Sequence, residues 1–370
     1  MTDFANGKIQ AFVGPQELGA ANNLEEVIIE FIAGAQKYLD IAVQELDSKP
    51  IALAILDAHY RGVNVRLFLE QDYLISNRRP KVRPNIGDED IHENRTILNA
   101  LLRSSIDVKA DYNPKIFHQK FIIRDYRRSA MSTSAVLTGS TNFTQTGTHK
   151  NFNHVIIFND YRVCREYRVE FDEIRCGNFG SVNSQIRDIP TTINIEGVPV
   201  RVLFAPDHTP ELEIVKQMLK AQNRLEFAIF TFSGSSAIDD AMIMLRAANR
   251  KIRGVMDPSQ GKQWWASTDW LHNEGIQVFF PRKHKAFGKL HHKLMVIDDS
   301  IVVAGSMNYT APANEYNDEN IFVLGSPYDL PKGKGGPVDH AACAEIAHFF
   351  RAEIERIIDI SDPYQSRNTA

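Results

Sequence analysis

The stretch Lys289-Leu-His291-His-Lys293-Leu-Met-Val-Ile-Asp298, with Ala304-Gly-Ser306-Met-Asn308 after it, decides how the rest of the chain is read. Its apolar run Leu294–Ile297, set between Gly288 and the turn residues Asp298-Asp299-Ser300, predicts a β-strand. A strand sends residues i and i+2 to one face, so His291 and Lys293 are expected to point the same way. An imidazole beside an ammonium is poor metal chemistry, because lysine has no lone pair to offer and repels a cation. The pair suits a phosphate, whose oxygens an ammonium can hold while an imidazole attacks phosphorus or moves a proton.

The same arrangement occurs earlier, at Ile116-Phe-His118-Gln-Lys120-Phe-Ile-Ile-Arg-Asp125, followed by Thr138-Gly-Ser140-Thr-Asn142. One H-x-K-x4-D match is weak evidence, but two copies, each trailed by G-S-x-N, define a repeat.

The surrounding pattern repeats too. Asn23–Gln36 has helical spacing, Tyr38–Leu46 reads as a strand, Pro50–Tyr60 as a helix and Val63–Glu70 as a strand. In the second half Pro210–Ala221, Arg224–Phe232, Ser236–Ala248 and Ile252–Met256 follow the same order. Each half continues through a short strand (Ile106–Ala110; Ile276–Phe280), the H-x-K strand, the G-S-x-N turn, one more strand and a last helix, Ala341–Ile360 in the second. Alternating strands and helices predict an α/β class with mixed, mostly parallel sheets. The polar, turn-rich stretch between Gly177 and Pro199 has no helical period, so the expected units are residues 1–183 and 184–370.

The net charge of −4 and sequence pI near 6.3 exclude a protein that coats a polyanion with its whole surface, but not a local basic groove. Basic loops flank the half-sites: Arg78 and Arg79 in the first half, and Arg282, Lys283 and Lys285 in the second, are read as substrate-binding. Cys164, Cys176 and Cys343 form no C-x2-C pair, the start of the chain has no signal-peptide pattern, and no apolar run approaches a membrane span. These features lead to the expectation of a cytoplasmic protein with free thiols and no integral membrane association.

The two motifs resemble the phospholipase D superfamily, whose signature is H-x-K-x4-D with a following G-S-x-N. The second copy has the family spacing, with six residues between Asp298 and Gly305; the first has thirteen and hence a longer hairpin. Asn317-Asp-Glu319 matches the family's N-x-E element, and Asn151-Phe-Asn153 stands in its place in the first half. The resemblance implies two tandem α/β/α sandwich lobes related by a pseudo-twofold axis, with one active site between them, complete within one chain. It implies that one of His118 and His291 attacks phosphorus while the other protonates the leaving oxygen. Lys120, Lys293, Asn142 and Asn308 would then hold the equatorial oxygens, with no metal or cofactor required. Each histidine would be oriented from the opposite half, His118 by Glu319 and His291 by Asn153. A carboxylate raises imidazole basicity, so His118 is expected to be the nucleophile and His291 the acid. Asp125, Asp298, Ser140 and Ser306 are read as shaping the motif, the two serines as phosphate contacts rather than nucleophiles.

G-S-T-N-Phe143-Thr144 and G-S-M-N-Tyr309-Thr310 resemble the nuclease-type members, whereas lipid-synthesising members more often carry G-G-x-N and N-L-D. The expectation is a nuclease acting on DNA or RNA through a phosphohistidine. The alternatives are a phospholipase D or phosphatidyltransferase of the cardiolipin-synthase type, and a nucleic-acid-binding module with a vestigial site. His292 is expected on the other face of its strand, His149 and His154 outside the site, and Trp264, Trp265 and Trp270 in packing.

Overall fold

The computed structural model describes residues 2–71, 89–127, 131–180, 190–331 and 336–366. Two sheets carry the chain. The first runs, in spatial order, through Thr2–Phe4, Ile9–Gly14, Asn153–Phe158, Ala135–Gly139, Lys120–Arg124, Tyr38–Val43, Asn64–Leu69 and Asp107–Ala110. The second runs through Ser361–Pro363, Gln277–Pro281, Lys251–Met256, Arg224–Ile229, Lys293–Ile297, Ile301–Gly305, Glu319–Leu324, Val198–Ala205 and Ile193–Ile195. From each H-x-K strand outward the two orders correspond strand for strand, as the duplicated sequence predicts.

The sheets are mixed, but not mostly parallel. Among the described strands, parallel pairing is confined to Tyr38–Val43 with Asn64–Leu69 and Asp107–Ala110, and to Arg224–Ile229 with Lys251–Met256 and Gln277–Pro281. Those strands are joined by helical crossovers, whereas the H-x-K strand and the strands after it are joined by shorter connections that return the chain antiparallel. Five strands were not legible in the sequence: Thr2–Phe4 and Ile9–Gly14 extend the first sheet, Ile193–Ile195 and Val198–Ala205 the second, and Ser361–Pro363 pairs with Gln277–Pro281 beyond the last helix. The boundary expected between 183 and 184 lies outside the described residues, as do Arg78 and Arg79.

Local chemistry explains the elements that place the site. Helix Leu24–Ala33 begins where Asn23 accepts from Glu25 and Glu26 N–H, and Lys49–Tyr60 where Ser48 accepts from Ile51 N–H. Thr144 and Thr310, the last residues of the G-S-x-N-aromatic-Thr runs, cap Gln145–His149 and Ala311–Glu315 in the same way. Gly139 and Gly305 both have φ near +152°, and a Cβ at either would lie 2.3 Å from the backbone oxygen of His154 or Asn320. Only glycine allows that approach.

The halves share a core. Phe121, Phe158, Tyr167 and Phe171 of the first pack in one buried cluster with Phe204, Leu294, Phe322 and Ile354 of the second. The backbone joins them symmetrically: His118 N–H donates to Asp318 O and His291 N–H to Phe152 O, both at 2.9 Å. Continuous apolar burial with matched hydrogen bonds fixes one half against the other.

Candidate active site

Each H-x-K strand delivers its histidine to this junction. The rings of His118 and His291 face one another with centroids 6.3 Å apart and planes inclined at 67°. Both are almost fully buried, at 6% and 7% exposure. His118 Nδ1 lies 2.7 Å from Glu319 Oε2, and that oxygen also accepts from Ser306 Oγ at 2.6 Å. On the other side His291 Nδ1 lies 3.0 Å from Asn153 Oδ1 and 3.1 Å from Ser140 O. Asn153 donates through Nδ2 to Gly147 O, and Ser140 Oγ donates to Asn153 Oδ1. Facing two oxygen acceptors, His291 Nδ1 carries the proton, which leaves Nε2 as the ring nitrogen open to proton transfer. The two serines are fully buried and spend their hydroxyls on Asn153 and Glu319, so they steady the groups behind the imidazoles rather than meeting a phosphate.

Lys120 Nζ donates to His118 O at 2.8 Å and to Gln44 Oε1 at 3.1 Å; Lys293 Nζ donates to His291 O at 2.8 Å. Asn142 Nδ2 reaches the same Gln44 oxygen at 3.4 Å, and Asn308 Oδ1 accepts from Thr231 N–H. Gln44 and Phe230 occupy equivalent places at the ends of matching strands and were not anticipated. Phe230 lies 4.9 Å from the His291 ring and under the ammonium groups of Lys289 and Lys293. Gln44 fits the period-2 alternation of its strand and Phe230 departs from it by a single apolar residue, so neither is singled out by pattern.

Burial, outweighing the pull of nearby carboxylates, governs the electrostatics. Lys120 is brought down to about 7 by burial. Lys293 falls well below its ordinary value, from burial and then from Lys120. His118 is lowered by burial and then by Lys120 and Lys293; His291 by burial and then by Lys293, Lys120 and His118. Burial pushes Glu319 up to about 8 against the pull of Lys120. Each partner of the His118–Glu319 pair is thus held toward its uncharged form. Two lysines and two imidazoles crowded out of water form a site whose strain a bound phosphate anion relieves.

Asp125 and Asp298 sit at φ +54° and +49° where their strands end. Asp125 Oδ atoms accept from Gln36, Lys37 and Tyr38 N–H, and those of Asp298 from Gln222, Asn223 and Arg224 N–H. Both anchor a neighbouring loop away from the imidazoles. One layer behind the site, His292 turns away from His291 and stacks on His154, with ring centroids 5.3 Å apart, and reaches Glu353 at 3.0 Å. His149 contacts Glu17 and Glu25 instead of the site. Glu170, Glu173 and Asp207 are the described carboxylates that converge closely enough to hold a cation, behind Gln119 and apart from the facing imidazoles.

Of the basic loop, Lys283 and Lys285 are exposed, but the Arg282 guanidinium is occupied by Asp362 and the backbone oxygens of Asp359 and Ser361. The C-terminal strand takes up this expected substrate contact. Trp264 is 93% exposed and Trp270 56%, so neither is the packing residue that the sequence suggested.

A duplicated α/β fold that closes two H-x-K half-sites into one phosphate-shaped centre defines a phosphodiesterase class. The chain belongs to the phospholipase D superfamily: the family described as cardiolipin synthase, PLD-like domain, matches residues 28–175 and 214–332. The mitochondrial cardiolipin hydrolase of Xenopus laevis is 32% identical over 110 residues, 30% of this chain and 50% of that protein. A phospholipase D of Rickettsia conorii is 34% identical over 125 residues, 34% of this chain and 60% of that protein. The chain thus spans about half the length of these curated relatives. The crystal structure of phosphatidylserine synthase from Haemophilus influenzae matches 96% of this chain and 87% of that one with a TM-score of 0.62 at 12% identity, which shows a shared fold. No described helix is long and apolar enough to cross a membrane.

Proposed function

We propose that the protein hydrolyses nucleic-acid phosphodiester bonds through a phosphohistidine on His118. The observation that carries this reading is the pair of facing imidazoles, one backed by Glu319 and the other by Asn153. His118 Nε2 attacks phosphorus. The bond to the leaving oxygen breaks, and that oxygen takes a proton from Nε2 of His291, which enters this step as the imidazolium formed once the phosphate anion is bound, its Nδ1–H still facing Asn153 and Ser140. His291 then removes a proton from water, the resulting hydroxide attacks phosphorus, and the P–N bond breaks to return the lone pair to His118. Lys120 and Lys293, protonated once the anion is bound, hold the equatorial oxygens with Asn142 and Asn308.

Nucleic acid is preferred as substrate because Lys283, Lys285 and Lys289 are exposed on the loop leading directly into His291, within a net-acidic chain. The second reading is a phospholipid head group, supported by the lipid named in the family description and in the Xenopus relative. A reducing, cytoplasmic setting is part of the proposal, all three cysteines being free. Incubation with single-stranded DNA, duplex DNA, RNA and anionic phospholipid vesicles in EDTA separates the readings. Nucleic-acid cleavage is expected; turnover of lipid alone selects the second.

A further inference from the structure

The two half-sites are not approached alike. Between the strand Asp107–Ala110 and His118 the chain reads Asp111-Tyr-Asn-Pro-Lys-Ile-Phe117, with one lysine and one aspartate, and Asp111 is buried. Between Gln277–Pro281 and His291 it reads Arg282-Lys-His-Lys-Ala-Phe-Gly-Lys-Leu290, with four cationic residues and no acidic one. This second loop forms one wall of a cleft of about 1200 Å³ whose other walls are Asp257–Lys262, Phe280 and the C-terminal residues 362–365. Ordinary small-molecule sites span roughly 300–1000 Å³, so the cleft has room for a length of polymer.

Its negative groups are already engaged. Asp257 accepts from Leu290, Ser259 and Gln260 N–H, and Asp362 pairs with Arg282. Lys283 and Lys285 are exposed and make no ion pair among the described residues, and Lys262 lies over the Phe280 ring. Phe287, at the rim, packs on Phe152 of the other half, and Gly288 N–H donates to Lys150 O at 2.8 Å. The cleft therefore ends beside the strand that presents His291.

We propose that this cleft receives the leaving-group side of a polyphosphodiester, with a phosphate beyond the scissile one held by Lys283 and Lys285. The inference rests on the nucleic-acid reading above and on His291 as the acid. In-line attack by His118 expels the leaving oxygen toward His291, and the strand continuing from that oxygen runs along the basic loop that leads into His291. The fragment retained on His118 lies over the first half. Occupancy of the cleft thus assists formation of the phosphohistidine but not its hydrolysis, because by then the leaving strand has departed.

The test uses the full chain and the variant K283E/K285E, with a single-stranded oligodeoxynucleotide and with bis(p-nitrophenyl) phosphate, which is too small to fill the cleft. Loss of two phosphate contacts is expected to lower kcat/KM on the oligonucleotide ~10- to 100-fold. The loss on the small diester should be at least ~10-fold weaker than this. In single turnover the variant should form the phosphohistidine slowly and hydrolyse it at the wild-type rate. K283Q/K285Q should fall between the two proteins. Equal losses on both substrates, or hydrolysis slowed as much as formation, would overturn the assignment. If wild type cleaves the oligonucleotide and the variant does so equally well, the cleft assignment alone fails. If wild type cleaves only the small diester, the nucleic-acid reading fails and takes the cleft with it.

Discussion

Nδ1 of His118 lies 2.7 Å from Oε2 of Glu319, a carboxylate supplied by the opposite half of the chain and wholly buried. While Glu319 is protonated it donates to Nδ1, and the ring proton sits on Nε2, where attack must occur. Once Glu319 ionises, Nδ1 carries the proton and the Nε2 lone pair is free.

The pH profile follows from this exchange. Glu319, pushed up to about 8 by burial, makes the nucleophile available as pH rises. Lys120, brought down to about 7, loses its charge over the same range and with it the grip on phosphate. A narrow bell in kcat/KM peaking between these values is expected. Glu319→Gln should erase the acidic limb and lower kcat about 100-fold or more. A broad plateau reaching down to mildly acidic pH would contradict this reading.

Phosphate binding should take up protons. Burial holds Lys120 and Lys293 below their ordinary values, with repulsion from Lys120 added at Lys293, and an anion between them restores both charges. Titration calorimetry with inorganic phosphate near pH 8, in buffers of differing ionisation enthalpy, should report net proton uptake that falls in Lys120→Met. Binding should weaken as pH rises further. Proton release would contradict it.

The Asn153 amide gives His291 a neutral partner where His118 has a carboxyl. Asn153→Asp sets a carboxylate about 3.0 Å from His291 Nδ1, in place of the present oxygen. An opposite charge so close raises an imidazole pKa by about 1–3 units. The His291 resonance followed by NMR titration should move upward accordingly, and an unchanged titration would contradict this reading.

Asp298 anchors three backbone N–H groups and touches neither imidazole. Asp298→Ala should cost about 1–3 kcal/mol in chemical denaturation. At a temperature where the variant is folded, kcat should stay within about twofold, since the contacts made only in the transition state are untouched. A hundredfold loss of kcat in the folded variant would place Asp298 in the chemistry.

The duplicated strands and the two H-x-K pairs were legible because they rest on local spacing that the chain repeats, whereas the crossed Glu319 and Asn153 contacts were expected only from the resemblance to the phospholipase D superfamily. Pairing direction was not, because alternation of strand and helix says nothing of the hairpins that follow the H-x-K strand. Gln44 and Phe230 join the site through the register of the sheet, which places each strand end beside a lysine distant in sequence. Arg282 looked available as a substrate contact, and only the fold shows the chain end returning to occupy it. The hydroxyl directions of Ser140 and Ser306 likewise depend on which buried acceptor lies nearest.

The central claim is tested most directly by trapping the covalent intermediate. Acid-free quenching of wild-type protein after mixing with a radiolabelled oligonucleotide, followed by proteolysis and mass spectrometry under alkaline conditions, should place the phosphoryl adduct on His118. His291→Asn should still form some of that adduct with an activated leaving group that needs no acid, and His118→Asn should form none. An adduct on His291, or one that forms unchanged in His118→Asn, would contradict the assignment of His118 as nucleophile.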